Sequence, residues 1–578
     1  MEEPNLKGPT KPDGPLPAPV FAARYVPAIA GVLAFILLVV VVPDATQSSL
    51  TAATGGPESS SGSVTAGGGS GSGTTTGGSG PGSKTGGSGS QGSSGPVGSG
   101  GGASGGGTAG TSATGRRTGG ETVSGVDCGS DVRQVPWSPY SPMCTNEWSG
   151  NNGGATAHGV TASEITLVLR KPSDWDSAAD ATGTPRFADI AHDTEVLVDF
   201  FNGEFELYGR KVIVKTFEGR GSFFAEGANK GQELASADAQ TAHDLGAFVD
   251  GFPISTGSYS DAEASRGIIS FAPGNSLAAY KANAPYMYGV PLGPVAEIQG
   301  AGVAAVACQR MAKMKAAFAG DPVYQKTTRK FAVLEPEQPE YAGGGAIVVN
   351  ALKKCGAPAE IYKYNADVSV EPQQADAITA RMMADGVTTV LMLTDPLMSQ
   401  FMTRSASQRN YKPEWVFTVF PQALARQADA SQLAHAVDIS PWHATTGSPK
   451  QRLCARIYQL ADKGGSPQSG AQGLDASCSL LMALYSAIQQ AGPELTPQSF
   501  NRGWFSLPAS SASSDFGRWS FGPDQWSPVA SMSLLHWQAD EKSSYDGGMG
   551  QWASCGGPAD YPYRNAKLGS GQLRCKGL

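Results

Sequence analysis

Short apolar runs bounded by Gly, Pro or polar residues recur along the chain from Ile165 onward, and stretches of helical periodicity lie between them. Ile165–Leu169 (ITLVL) and Gly267–Phe271 (GIISF) read as strands buried on both faces, whereas Lys211–Thr216 (KVIVKT) alternates apolar and polar positions. Ala247–Val249 opens a further strand, and Lys330–Leu334, Val387–Leu393 and Trp415–Val419 continue the series. Apolar residues at three- and four-residue spacing predict helices over Phe187–Phe201, Gly231–Leu245, Val295–Ala317, Tyr341–Lys354 and Gln373–Asp385. Gly356 and Gly386 supply the stops of the last two. Phe401–Asn410, Lys450–Lys463 and Ala476–Ala491 follow the same period. Strand–helix alternation with short connections predicts an α/β fold with parallel sheets covered on both faces. The alternation is too long for one doubly wound sheet, so two Rossmann-like lobes are expected. Ala284–Pro294 (APYMYGVPLGP) joins two βα series and is the candidate hinge.

Two segments ahead of this block follow other rules. Val26–Val42 (VPAIAGVLAFILLVVVV) has no charge and approaches the roughly 20 apolar residues that a bilayer core requires. Tyr25 and Arg24 flank it, and Lys7 and Lys11 lie upstream, which predicts a cytoplasmic tail (1–24) and an uncleaved signal anchor (25–43). The alternative is a cleaved signal peptide. Against it stand the length of the apolar run and the lack of a small-x-small site after Val42. No Cys near the end of the run offers a lipid attachment point. From Ala45 to about Ser124 the chain is almost entirely Gly, Ser, Thr and Ala, with nothing to offset its backbone entropy, and reads as a disordered low-complexity tether (44–125). The folded block, 126–578, is therefore expected outside the cell membrane.

Composition narrows the function. A net charge of -8 without a basic stripe argues against a nucleic-acid partner. All 8 cysteines (Cys128, Cys144, Cys308, Cys355, Cys454, Cys478, Cys555 and Cys575) lie beyond the apolar run, as an oxidising compartment would have them. Of the possible pairings, nearest in sequence is the simplest. No C-x-x-C, HExxH or Walker motif is present, and G-x-S-x-G occurs only inside the tether, where no strand–elbow–helix can form. Neither His192 nor His443 belongs to a recognisable catalytic or metal-binding constellation of Cys or acids. Neither an enzyme nor a metal or other cofactor is expected.

Seven short motifs then resemble, in order, the type I periplasmic solute-binding proteins of the branched-chain amino-acid class. Gly159-Val160-Thr161-Ala162-Ser163-Glu164-Ile165 is similar to the opening of their first strand, and Asn202 followed by Tyr208-Gly209-Arg210-Lys211-Val212 to their second. Gly267–Pro273, Glu340-Tyr341, Gly386–Val390, Asp395-Pro396 and Tyr411-Lys412-Pro413-Glu414-Trp415 complete the resemblance, which runs from about Gly159 to Trp442. It implies a clamshell of two lobes, about 159–288 with 420–526 and about 289–419 with 527–578, holding a solute in the cleft. The expected partners are a small polar or anionic, amino-acid-like solute and an ABC importer permease, with the binding protein itself a monomer. A ligand-binding sensor or wall-associated receptor is the alternative.

Candidate binding residues follow from loop chemistry and from the resemblance. Ser255, Thr256 and Ser258 precede a helix, where hydroxyls and free N–H groups suit a carboxylate but equally suit capping. Asn275 and Ser276 form a second such loop, which turn chemistry alone also explains. Trp175 and Tyr341 could wall the cleft from opposite lobes. Where the family pairs its ligand's ammonium with an acid, this chain has Gln422, and Asp395 is the possible substitute.

Overall fold

The computed structural model describes residues 120–578 apart from 252–254, 272–274, 294, 339–340, 342, 444–450, 544, 557–559, 570 and 576–578. The apolar run Val26–Val42 and the tether up to residue 119 lie outside the described residues, but the tether's expected end is folded, with Thr122 buried and Glu121 bridged to Asp127; among the described residues, no helix is long and apolar enough to cross a membrane.

Two sheets organise the chain. The first contains β1 (Glu164–Lys171), β2 (Lys211–Glu218), β3 (Val249–Asp250), β4 (Ile269–Phe271) and β5 (Met287–Tyr288), all parallel, in the order 2-1-3-4-5. The second has β6 (Phe331–Pro336), β7 (Ala359–Tyr364), β8 (Thr389–Met392), β9 (Glu414–Thr418) and β10 (Ala436–Ser440) in the parallel order 7-6-8-9-10. Antiparallel β11 (Ser531–Lys542) and β12 (Met549–Ser554) extend it beyond β10, and β13 (Tyr561–Pro562) pairs with β11. Successive residues of β6, β8 and β9 enter different cores: Val333, Leu391 and Val416 join the core that continues into the first lobe, while Leu334, Met392 and Phe417 join the core on the opposite face. Helices cover both faces of each sheet, which is why these strands read as unbroken apolar runs.

The chain crosses between the lobes three times. The first crossing follows β5 at Gly289–Gly293, inside the candidate hinge. The second follows β10 at Pro441, and the third leads from the helix Pro497–Ser506 to β11. Hydrogen bonds lace them together, from Gly289 N–H to the Trp526 carbonyl (2.9 Å) and from Gly517 N–H to the Pro441 carbonyl (2.9 Å). The second crossing lies some twenty residues later than the motif-based boundary near 420, because β10 still belongs to the second sheet. Its buried Asp438 breaks the apolar run by which the other strands are recognised.

Boundaries also differ at two helices. The element expected over Val295–Ala317 spans Ala296–Val306, adds a wide turn at Ala307–Met311, and ends before Lys313, whose φ is 61°. The helix expected from Tyr341 starts at Gly344, because Gly343 before it has a non-helical φ of 110°; Gly344 then packs directly on Gly300, where a methyl group would strike its backbone.

The four disulfides join nearest neighbours: Cys128–Cys144, Cys308–Cys355, Cys454–Cys478 and Cys555–Cys575. Cys128–Cys144 staples the lead-in, whose Tyr140 packs on Trp519 and donates to the Phe516 carbonyl at 2.7 Å, fixing that segment to the third crossing. Cys308–Cys355 closes the longest loop, a separation of 47 residues. Its removal by a Cys308→Ser/Cys355→Ser double substitution should cost about 2–4 kcal/mol by the loop-closure argument. Chemical denaturation checks this, and an unchanged midpoint would refute it.

Candidate functional site

Ligand sites in open α/β sheets lie beyond the carboxyl ends of the strands, where the strand order reverses. Both sheets have such a point, beside β1 in the first and beside β6 in the second. Two adjoining cavities, of about 390 and 270 Å³, lie there. They share Trp175, Thr184, Gly293, Val419 and Pro421 and are therefore parts of one cleft.

The larger cavity has Trp175, Phe223 and Phe224 on the first lobe and Tyr341, Leu393 and Leu424 on the second. Trp175 is held by its Nε1–H, which donates to the Pro185 carbonyl at 3.1 Å, and by the edge of Phe223 at 5.1 Å. The smaller cavity opens toward the crossings, where Val290, Leu292, Trp442 and His443 meet Trp552 and Tyr545 of the β11–β12 hairpin. No Lys or Arg is among the described residues lining either cavity. Burial pushes the His443 imidazole below its ordinary value, so it stands neutral at pH 7.

The charge in the cleft is acidic. Asp395 caps the helix Pro396–Gln408, where one carboxylate oxygen accepts from the N–H groups of Leu397 (2.8 Å) and Met398 (3.0 Å). Its other oxygen accepts from the Tyr364 hydroxyl. Both oxygens of this expected substitute for the family's acid are thus engaged. Beside it Glu371, the first residue of the helix Glu371–Ala384, lines the larger cavity at 2% exposure, and its Oε2 has no hydrogen-bond partner. Burial, and after it the charges of Asp395 and Asp367, push the Glu371 carboxyl up to about 9. In the smaller cavity burial alone pushes Asp438 up to about 7. The lobes also meet across the cleft through the Lys230–Asp367 ion pair, which holds Asp367 down to about 2.

Of the residues anticipated from the sequence, the structure brings together Trp175, Tyr341 and Asp395 around the larger cavity and places Gln422 on the smaller. Gln422 is stitched to the hairpin, donating to Ser543 Oγ (3.0 Å) and Asp546 (3.2 Å). Ser255, Thr256, Ser258, Asn275 and Ser276 line neither cavity. Thr256 caps the helix Gly257–Ala264, accepting from Tyr259 N–H at 3.2 Å, and donates to Glu226, itself paired with Arg170 at 2.7 Å. The Ser255 hydroxyl is bonded to that of Ser260, and Ser276 caps the helix Leu277–Ala282. Asn275 is buried, with its amide 3.7 Å from the Met287 sulfur, and Ser258 is half-buried within the first turn of its helix. Sequence reasoning missed Glu371, Phe223, Phe224, Trp442 and Trp552. Phe223 and Phe224, a few residues past the recognised strand Lys211–Thr216, carried the one local signal among them.

Solved structures similar to this chain are consistently substrate-binding proteins of ABC transporters, of the leucine/isoleucine/valine-binding, type I periplasmic class. One is the substrate-binding protein of an ABC transporter from Aeropyrum pernix, 13% identical with a TM-score of 0.49, covering 72% of this chain and 98% of its own. A fatty acid ABC transporter substrate-binding protein from Thermomonospora curvata is 11% identical with a TM-score of 0.48, covering 73% and 99%. The leucine-, isoleucine-, valine-, threonine- and alanine-binding protein from Brucella ovis, in its closed conformation, is 12% identical with a TM-score of 0.48, covering 71% and 97%. No family model and no curated protein matches the chain.

Proposed function

We propose that the protein is an extracytoplasmic solute-binding protein, tethered to the cell membrane through Val26–Val42, that captures a small solute between its lobes for an ABC importer and releases it chemically unchanged. The observation that carries this reading is the cleft, which lies at the strand-order reversals of both sheets and takes walls from both lobes. Its walls favour a largely apolar solute over the anionic one expected from the Ser255–Ser258 loop, since no lining cation would compensate a buried carboxylate. The four disulfides suit an oxidising compartment. A tether of Gly/Ser composition would span roughly 5–6 Å × √n, near 50 Å for its length, enough to deliver solute to a neighbouring permease.

Solutes that raise the melting temperature of the full chain should lose affinity by about 10–100-fold in Trp175→Ala, because that indole forms a wall of both cavities. Hits that bind the variant as tightly as the parent would place the site elsewhere.

A further inference from the structure

Glu371 is a buried acid with an idle acceptor. It is 2% exposed, it faces the larger cavity, and its Oε2 meets no donor. A carboxyl so placed is costly unless something brings it a proton or a positive charge. The surroundings cannot do so. Asp395, beside it, is a further acid whose oxygens are engaged by Leu397, Met398 and Tyr364. Asp367 is occupied by Lys230, whose side chain is exposed. Trp175 and Phe223 of the first lobe and Tyr341 of the second also line this cavity, and aromatic faces attract cations and repel anions.

We propose that the cleft selects lipophilic amines, whose apolar body fills the two joined cavities while the protonated nitrogen donates to Glu371. This rests on the solute-binding reading above and names the chemical class that the same site takes. Gln422, at the position where the family's acid pairs with an ammonium, is bound to Ser543 and Asp546, so the cation site moves within the second lobe to the start of the helix Glu371–Ala384. A proton already sits on Glu371 near neutral pH, held there by burial and by the charges of Asp395 and Asp367. An entering ammonium therefore displaces that proton to solvent, and affinity rises with pH between 7 and 9 while the amine stays charged.

The test uses the full chain in detergent, titrated by calorimetry and tryptophan fluorescence with 4-phenylbutylamine, octylamine and their matched carboxylates, 4-phenylbutyrate and octanoate. At least one amine should bind about tenfold or more tighter than its carboxylate. Its titration in buffers of different ionisation enthalpy should show proton release, and Glu371→Gln should abolish both the release and the preference. Carboxylates binding as well as amines, or amine binding unchanged in Glu371→Gln, would overturn the proposal. In that case, loss of carboxylate binding in Trp175→Ala would leave the solute-binding reading standing. If none of these probes binds, the amine class falls; if a wider panel of neutral and anionic solutes also fails, the solute-binding reading falls with it.

Discussion

Replacing Arg329 by methionine is expected to cost the fold about 3–5 kcal/mol, because it strands a carboxylate in a dry interior. Arg329 precedes β6 and grips Glu414, the first residue of β9, with Nε to Oε2 at 2.6 Å and Nη2 to Oε1 at 2.8 Å; both side chains have zero exposure. Thr389 at the start of β8 donates to the same carboxylate at 2.7 Å, and Phe318 N–H does so at 3.1 Å. One ionic knot thus ties the amino ends of three parallel strands, whose opposite ends deliver Pro336, Leu393 and Thr418 to the cleft. Removing the cation leaves the desolvated charge without its largest compensation. Glu414→Gln placed on top of Arg329→Met should recover most of the loss, since the neutral amide still accepts from Thr389. Denaturant unfolding of both variants measures this. A single variant that costs under about 1 kcal/mol would mean that Glu414 is already neutral in the parent.

The two-lobed architecture was legible in the chain because its strands are short and buried on both faces. Runs such as Ile165–Leu169 and Val387–Leu393 contain no charge and nothing more polar than threonine, and Gly356 and Gly386 mark helix ends where a left-handed residue is needed, at φ 75° and 68°. β10 escaped notice because Asp438 sits in its centre, bonded to Phe420 N–H at 3.1 Å and hence tolerable only in the folded sheet. β11 escaped because it leaves the core part-way, ending in the exposed run from Ala539 to Lys542 after a buried beginning. Disulfide pairing by proximity succeeded because each bridge staples adjacent elements, such as the consecutive helices Leu453–Ala461 and Gly470–Ala491 joined by Cys454–Cys478.

The site was less legible, for a physical reason. Ser and Thr ahead of a helix satisfy either a ligand or the helix's own free N–H groups, and the one-dimensional pattern is the same for both. At Thr256 the helix itself takes the hydroxyl. The cleft walls, by contrast, come from positions far apart in the chain, Phe223, Glu371, Trp442 and Trp552, which no local spacing connects. Trp175 stood out as a large aromatic in the loop after the first strand, and Tyr341 only through the resemblance.

Glu371 should also make the protein less stable in mild alkali, and the sign follows from its environment. Its carboxyl ordinarily titrates at 4.5 and is pushed up to about 9 in the fold, so between those values the folded state holds a proton that the unfolded chain has released. Its contribution is complete below pH 4.5 and is lost as pH rises through about 9. The window from pH 7 to 9 isolates this loss best. Asp438 and Asp475, raised to about 7, are half titrated at its lower edge and add to the slope only in its first unit, and His435, lowered to about 4, is neutral throughout. Asp367, lowered to about 2, changes only in strong acid. Glu263, buried against Asp250 in the first lobe, is raised as well and adds to the same slope. Two pH units of uncompensated proton binding amount to on the order of 2 kcal/mol for Glu371. Glu371→Gln imitates the protonated acid permanently, so it should nearly match the parent near pH 5 and exceed it by on the order of 5 kcal/mol at pH 9, about 2 of them gained between pH 7 and 9. Urea unfolding at pH 5, 7 and 9 reads the difference directly, and parallel pH profiles for parent and variant would show that Glu371 ionises freely in the folded cleft.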